Sequence, residues 1–238
     1  MTLDLYVGGL SRYFSANWKT LLQLHSEEQG TVCRVVRPAD PFGFGPVSDP
    51  ISIREQVLAW KEQTNRVLAE AGLGTVLEWE ESPAGEYFTD MPNHEGMRAL
   101  RLWAWSSEHP DLPRPVRMPA EDDPALPGND DPAFLSAYPN LITDLDLWLP
   151  VPFDPSVIQM PGPHGREVLC GSSLDLLREL NGLNAATWSA SRAGILAWRT
   201  QGPPDPGDLE AQARFGFACI FFLAELAVQH RLPLVVDR

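Results

Sequence analysis

The sequence predicts an α+β fold, a single domain over residues 1–238 with helices packed on a central mixed β-sheet. Three observations predict it. Short runs rich in β-branched or alternating apolar residues are interleaved with stretches of helical periodicity. One stretch, 215–228, is apolar enough for a buried core helix, yet shorter than the ~20 residues a membrane span needs and interrupted by Glu225. Between the two halves, residues 109–139 hold eight prolines and two acid clusters. Proline removes backbone donors and like charges repel, so this stretch is expected to be a long acidic, Pro-rich surface loop, pinned by Leu126, Phe134, Leu135 and Tyr138.

In chain order, Leu3, Tyr6 and Val7 suggest a first strand ending at Gly8-Gly9. A short helix is expected over 15–24 and a strand over 31–36, followed by a Pro/Gly loop. Asp49 as N-cap and Pro50 at the first helical position open the clearest helix. Its inward face is expected to carry Ile53, Val57, Trp60, Val67 and Ala71, with Gly72 and Gly74 ending it. Residues 75–81 alternate as a strand would, with Leu77 and Trp79 on one side. A helix from near Asn93 turns Met97, Leu100, Trp103 and Ala104 inward.

The best strand is expected over 142–151. Leu145, Leu147, Leu149 and Val151 share one face, and Asp144, Asp146, Trp148 and Pro150 the other. After a proline-rich turn region come a short strand at 167–170, a helix capped by Ser172 or Ser173, and another over 185–198. The long apolar helix over 208–230 and a last strand over 232–236 complete the order.

Charge is the strongest functional signal. Residues 75–160 hold 16 acids and 4 bases, so most of the formal net charge of −14 belongs to this stretch. Such a surface repels nucleic acid and membranes and attracts basic proteins. The candidate partner-binding residues are Glu78, Glu80, Glu81, Glu121, Asp122, Asp123, Asp130, Asp131, Asp144 and Asp146, with Trp148 as an aromatic anchor beside them. The bland reading of the same charges is solubility alone.

Catalytic and metal motifs are missing from the sequence. It has no G-x-S-x-G elbow, no G-x-G-x-x-G or P-loop pattern and no H-E-x-x-H. Asp144 and Asp146, two apart, can hold a divalent cation, but an exposed strand face explains them as well. Cys170 ahead of a helix, with His164 as base, is a conceivable nucleophile, although a free cysteine is more often a small buried hydrophobe. Cys33, Cys170 and Cys219 lie far apart, an odd count that argues against a disulfide framework and fits a reducing cytoplasm. The start of the chain lacks the basic and apolar regions of a signal peptide. No cofactor and no metal are expected. Glu225 is read as part of a thin polar seam along its helix.

The segment Tyr6-Val7-Gly8-Gly9, ahead of an aromatic-rich stretch reaching Trp18, resembles the start of polymorphic-toxin immunity proteins. The similar group is the one paired with nuclease toxins of the restriction-endonuclease fold. Chain length and the intermixed α+β pattern agree, and the likeness covers chiefly the first twenty residues. The resemblance implies a cytoplasmic, non-enzymatic protein, tied to secretion loci such as type VI, that binds and neutralises a cognate basic nuclease. A homodimer is left open. The alternative is a hydrolase with a cleft near Cys170 or Asp144.

Overall fold

The computed structural model describes residues 3–33, 49–70, 72, 76–119, 136–152, 157–202, 205 and 207–237. The helices are α1 (Leu10–Phe14), α2 (Leu21–Glu28), α3 (Pro50–Glu70), α4 (His94–Glu108), α5 (Pro139–Ile142), α6 (Ser173–Thr187), α7 (Arg192–Thr200) and α8 (Leu209–His230). The strands are β1 (Asp4–Gly8), β2 (Tyr87–Asp90), β3 (Leu147–Leu149), β4 (Val157–Pro161), β5 (Glu167–Ser172) and β6 (Leu234–Asp237). They form one mixed sheet in the order β2-β1-β6-β3-β5-β4. Only β3 and β5 run parallel; the other four pairings are antiparallel. The expected α+β class with a mixed sheet is the observed one.

Both faces of the sheet are covered. On one, Leu5 and Val7 of β1 and Leu3 just ahead of it, with Trp148 and Leu234, meet α4, α6, α7 and α8. On the other, Tyr6, Leu147, Leu149, Cys170 and Val235 meet α1 and α3. Helix α8 runs through the first layer. Among the described residues it alone is long and apolar enough to cross a membrane, and 72% of its apolar window is buried in the fold. It crosses α4 where two glycines meet: a Cβ on Gly216 would press into the Gly96 carbonyl. Side chains are excluded there, so the two backbones approach closely.

Several helix ends follow local chemistry. The carboxyl of Asp208 accepts from Ala211 N at 3.0 Å, and Asn93 Oδ1 accepts from Gly96 N at 2.5 Å. Ser172 Oγ caps α6 by accepting from Asp175 N at 3.2 Å. Asp49 accepts from Ile51 N and Ser52 N, as its N-cap role predicts.

Other expectations are corrected. Of the helix expected over 15–24 only 21–24 is helical: α1 ends at Phe14 and α2 starts at Leu21. Ala16 sits at φ 54°, outside helical space, and Thr20 with Gln23 starts α2 through a capping box. The helix over 185–198 is likewise split: Ser189 at φ 49° ends the continuation of α6, and Ser191 caps α7. In α3 the inward stripe is Ile53, Val57, Trp60, Thr64 and Leu68, and Val67 is exposed. The long strand over 142–151 reduces to β3, because α5 occupies its start. Strands β2 and β4 were not expected from the sequence. Of the proposed loop, 120–135 lies outside the described residues; Tyr138 beyond it is buried in the core. Of the strand expected over 31–36, residues 31–33 form no strand and 34–36 lie outside the described residues.

Candidate protein-binding surface

Residues 76–81 run as an extended strap along α3. Leu77 N donates to Asn65 Oδ1 at 2.7 Å, Lys61 Nζ donates to the Trp79 carbonyl, and Arg54 Nε donates to the Glu81 carbonyl at 2.9 Å. Side chains of a helix therefore take the strap's backbone groups where a strand neighbour would otherwise do so, which is why the expected strand is not one. The alternation itself holds. Leu77, Trp79 and Glu81 face inward, and Val76, Glu78 and Glu80 stand in solvent.

Glu78 and Glu80 are thus on the surface as expected, Glu78 loosely paired with Arg231 at 3.5 Å. Glu81 is not. It is 2% exposed, and its carboxylate accepts from Leu10 N at 3.1 Å, Ser11 N at 2.9 Å, Ser11 Oγ at 2.7 Å and Trp79 Nε1. A buried carboxylate survives only when so supplied with donors. Here it caps α1 from seventy residues away, supplying a cap that the local sequence lacks. The signal was present: a period of two that points Leu77 and Trp79 inward points Glu81 inward too.

The other candidates divide similarly. Asp144 is exposed and pairs with Arg101 of α4 at 2.7 Å. It therefore lies with the helical layer on the opposite side of the sheet from α3 and the strap. Asp146 is half-buried and accepts from Leu169 N at 3.0 Å, tying β5 to the chain ahead of β3. Both precede the strand, so they do not share a strand face. Trp148 is 1% exposed, and its Nε1 donates to the Asn140 carbonyl at 3.0 Å; it is a core residue and no anchor for a partner. Glu121, Asp122, Asp123, Asp130 and Asp131 lie outside the described residues.

The residues of the catalytic alternative form no reactive set. Cys170 is fully buried, and burial, with the charge of Asp146 adding, pushes its thiol up to about 12. A thiolate nucleophile requires the reverse. Burial first, and Arg166 second, lower the His164 pKa, while its Nδ1 accepts from Arg166 N at 3.0 Å. Among the described residues no three His, Cys, Asp or Glu side chains gather as a metal site. Three clefts are walled by other residues: one by Trp103, Arg114 and Arg117, one by Trp60, Val67 and Met160, and one by Arg192, Phe222 and Glu225. Neither Cys170 nor Asp144 lines any of them. Glu225 is half-buried at the last of these and is ion-paired with Arg192 of α7, as befits a polar seam.

Sequence reasoning missed a second buried carboxylate. Glu179 of α6 accepts from Asn140 N at 3.1 Å, Asn140 Nδ2 at 2.8 Å and Leu141 N at 3.0 Å. Asn140 in turn accepts from Ser172 N at 2.8 Å, so one buried node joins α5, α6, β5 and Trp148. Comparison with protein-family models, with curated proteins and with solved structures finds no match.

Proposed function

We propose that this chain is an immunity protein that binds a cognate basic nuclease toxin in the cytoplasm and holds it inactive. The observation that supports the reading is the segregated charge: 16 acids against 4 bases within residues 75–160, with Glu78, Glu80, Glu86 and Asp144 carried outward. An acidic protein surface competes with DNA phosphates for a basic groove, and its long-range field speeds encounter. Blocking of this kind asks for rigid display of carboxylates, not for a catalytic group or cofactor. Nuclease–immunity complexes of this class reach the tightest affinities known for proteins.

The test is reconstitution. The tagged chain and the nuclease encoded at its locus are co-expressed, purified together and assayed for DNA cleavage. A stoichiometric complex with cleavage blocked, and association that slows steeply with salt, supports the reading. Undiminished cleavage at stoichiometric mixing in low salt refutes it. Reversing Glu121, Asp122 and Asp123 together to Lys is expected to slow association and flatten its salt dependence; unchanged kinetics removes that cluster from the interface.

A further inference from the structure

Strand β4 is an edge of the sheet, paired on one side with β5. The ladder fixes which of its backbone groups face outward. Gly162 N donates to the Arg166 carbonyl at 2.7 Å, so by alternation Met160↔Val168 and Ile158↔Cys170 are the hydrogen-bonded pairs. The other side of β5 agrees. The Leu169 carbonyl accepts from Asp146 N at 3.1 Å and Leu169 N donates to the Asp146 carboxylate at 3.0 Å, so Leu169 turns its backbone away from β4, and Val168 and Cys170 turn theirs toward it. The N–H and C=O groups of Val157 and Gln159 therefore point away from the sheet, and they meet no partner among the described residues. The Pro161 carbonyl, on the same phase, accepts from Trp60 Nε1 at 2.7 Å, which closes the edge at that end.

Edge strands of monomeric proteins are blunted by charge, proline or cover. The opposite edge, β2, follows the exposed Glu86 and ends in Asp90, ion-paired to Arg199. Strand β4 carries Val157, Ile158, Gln159 and Met160, with no charge and with proline only at its last position. Gln159 is exposed and the other three are half-buried. The cleft between α3 and the β4–β5 hairpin is uncharged as well: Gln56, Gln63 and Val67 on the helix meet Met160 and Pro163, and no ionisable side chain lines it among the described residues. The charges of the hairpin itself, Arg166 and Glu167, are opposite in sign. A chain of net charge −14 repels its own copy wherever carboxylates face each other. At this edge two copies approach without that repulsion, and each brings the unpaired strand that the other lacks.

We propose that a second copy of the chain pairs with this edge, β4 antiparallel to β4 across a two-fold axis at Ile158. In that register Val157 faces Gln159 of the other copy, and the two exchange both backbone bonds; the symmetry repeats the pair, giving four hydrogen bonds. An axis at Gln159 would set Val157 against Pro161, which has no N–H and whose carbonyl already serves Trp60, leaving two. Ile158 meets its own copy as a non-hydrogen-bonded pair. Ile158 and Met160 pack with the core on the α3 side, so the contact continues that apolar layer across the axis and joins the two six-stranded sheets into one. Pairing of this kind neither requires nor excludes a nuclease partner.

The experiment is sedimentation velocity on the full chain from about 1 to about 100 μM, a range over which mass action moves a dimer equilibrium. A species of twice 26.4 kDa is expected, growing with concentration and favoured by salt, which screens the repulsion between copies. Charge-steered association with a nuclease would weaken with salt instead. Gln159→Pro removes two of the four bonds at an N–H that serves no ladder of its own, and should weaken dimerisation by about tenfold or more with thermal unfolding unchanged. The register is tested separately, in a Cys33→Ser background that lacks the one cysteine not buried. Ile158→Cys should lock a covalent dimer on mild oxidation, because a non-hydrogen-bonded antiparallel pair brings its Cα atoms to about 4.5 Å, whereas Gln159→Cys, opposite Val157, should not. A chain that stays monomeric at about 100 μM in high salt, or a dimer that Ile158→Cys fails to lock, would overturn the pairing.

Discussion

Glu179→Gln is the most discriminating test of the fold's interior. Burial raises the Glu179 pKa from 4.5 to about 7, against the opposing pull of the Asn140 and Leu141 donors and with a further push from Asp175. The folded state therefore holds this proton more tightly than the unfolded chain does. Its contribution to stability is full below the unfolded value and is lost as pH rises through the folded one. At about 1.4 kcal/mol for each tenfold change in proton affinity, the loss between about pH 4 and pH 8 comes to about 3 kcal/mol.

The glutamine variant cannot ionise. Its Oε1 keeps both bonds from Asn140, while its Nε2 faces Leu141 N and forfeits one bond, a pH-independent cost of about 1 kcal/mol. Urea unfolding of both proteins across this pH range cancels the titration of every other carboxylate in the difference. The stability of the variant relative to the parent should climb by about 3 kcal/mol from acid to neutral pH, crossing from less to more stable. A flat difference would show that Glu179 ionises as an ordinary carboxylate. A difference falling with pH would show that the three N–H donors outweigh burial, and that α6 carries a permanent buried anion.

Three further outcomes are expected. Glu81→Ala removes the acceptor of two backbone N–H groups, the Ser11 hydroxyl and the Trp79 indole, and should cost on the order of 3 kcal/mol or more by urea unfolding; a cost under about 1 kcal/mol would mean that water reaches those donors. Gly216→Ala forces apart the α4–α8 crossing and should lower stability by about 1–3 kcal/mol, whereas helix propensity alone would raise it by up to about 1 kcal/mol, so the sign decides. Cys170, buried and held as a thiol, should resist iodoacetamide in the native protein and react once unfolded in urea; native labelling at Cys170, located by peptide mapping, would show that the site opens.

How far the sequence carries depends on whether the deciding interactions are local. The start of α3 is readable because Asp49 and Pro50 sit beside the turn they shape, and α8 because its apolar run has no other place to go. The failures have one cause in common. Reading 142–151 as a half-exposed strand assigned every residue opposite Leu147 and Leu149 to solvent, Trp148 among them. That inference holds only for a sheet with one covered face. Here α3 covers one face and α4 with α8 the other, so β3 is buried on both sides and Trp148 packs where water was expected. Strand β2 ends in Asp90, which pairs with Arg199 of α7 at 2.6 Å, a partner more than a hundred residues away that no local pattern reveals.

Charge follows the same logic. Composition locates most of the net negative charge in about one third of the chain, yet it counts Glu81 and Glu80 alike, although one caps a helix inside the fold and the other stands in solvent. Their difference is one step in a period of two. It was legible only through the apolar neighbours Leu77 and Trp79, whose direction an acid on the same phase must share. A carboxylate buried in this way adds to the protein's far field but meets no partner directly. Reversal of Glu80 therefore probes recognition, while any change at Glu81 is read out first as lost stability. The two adjacent residues, measured side by side, separate steering from folding on the same strap.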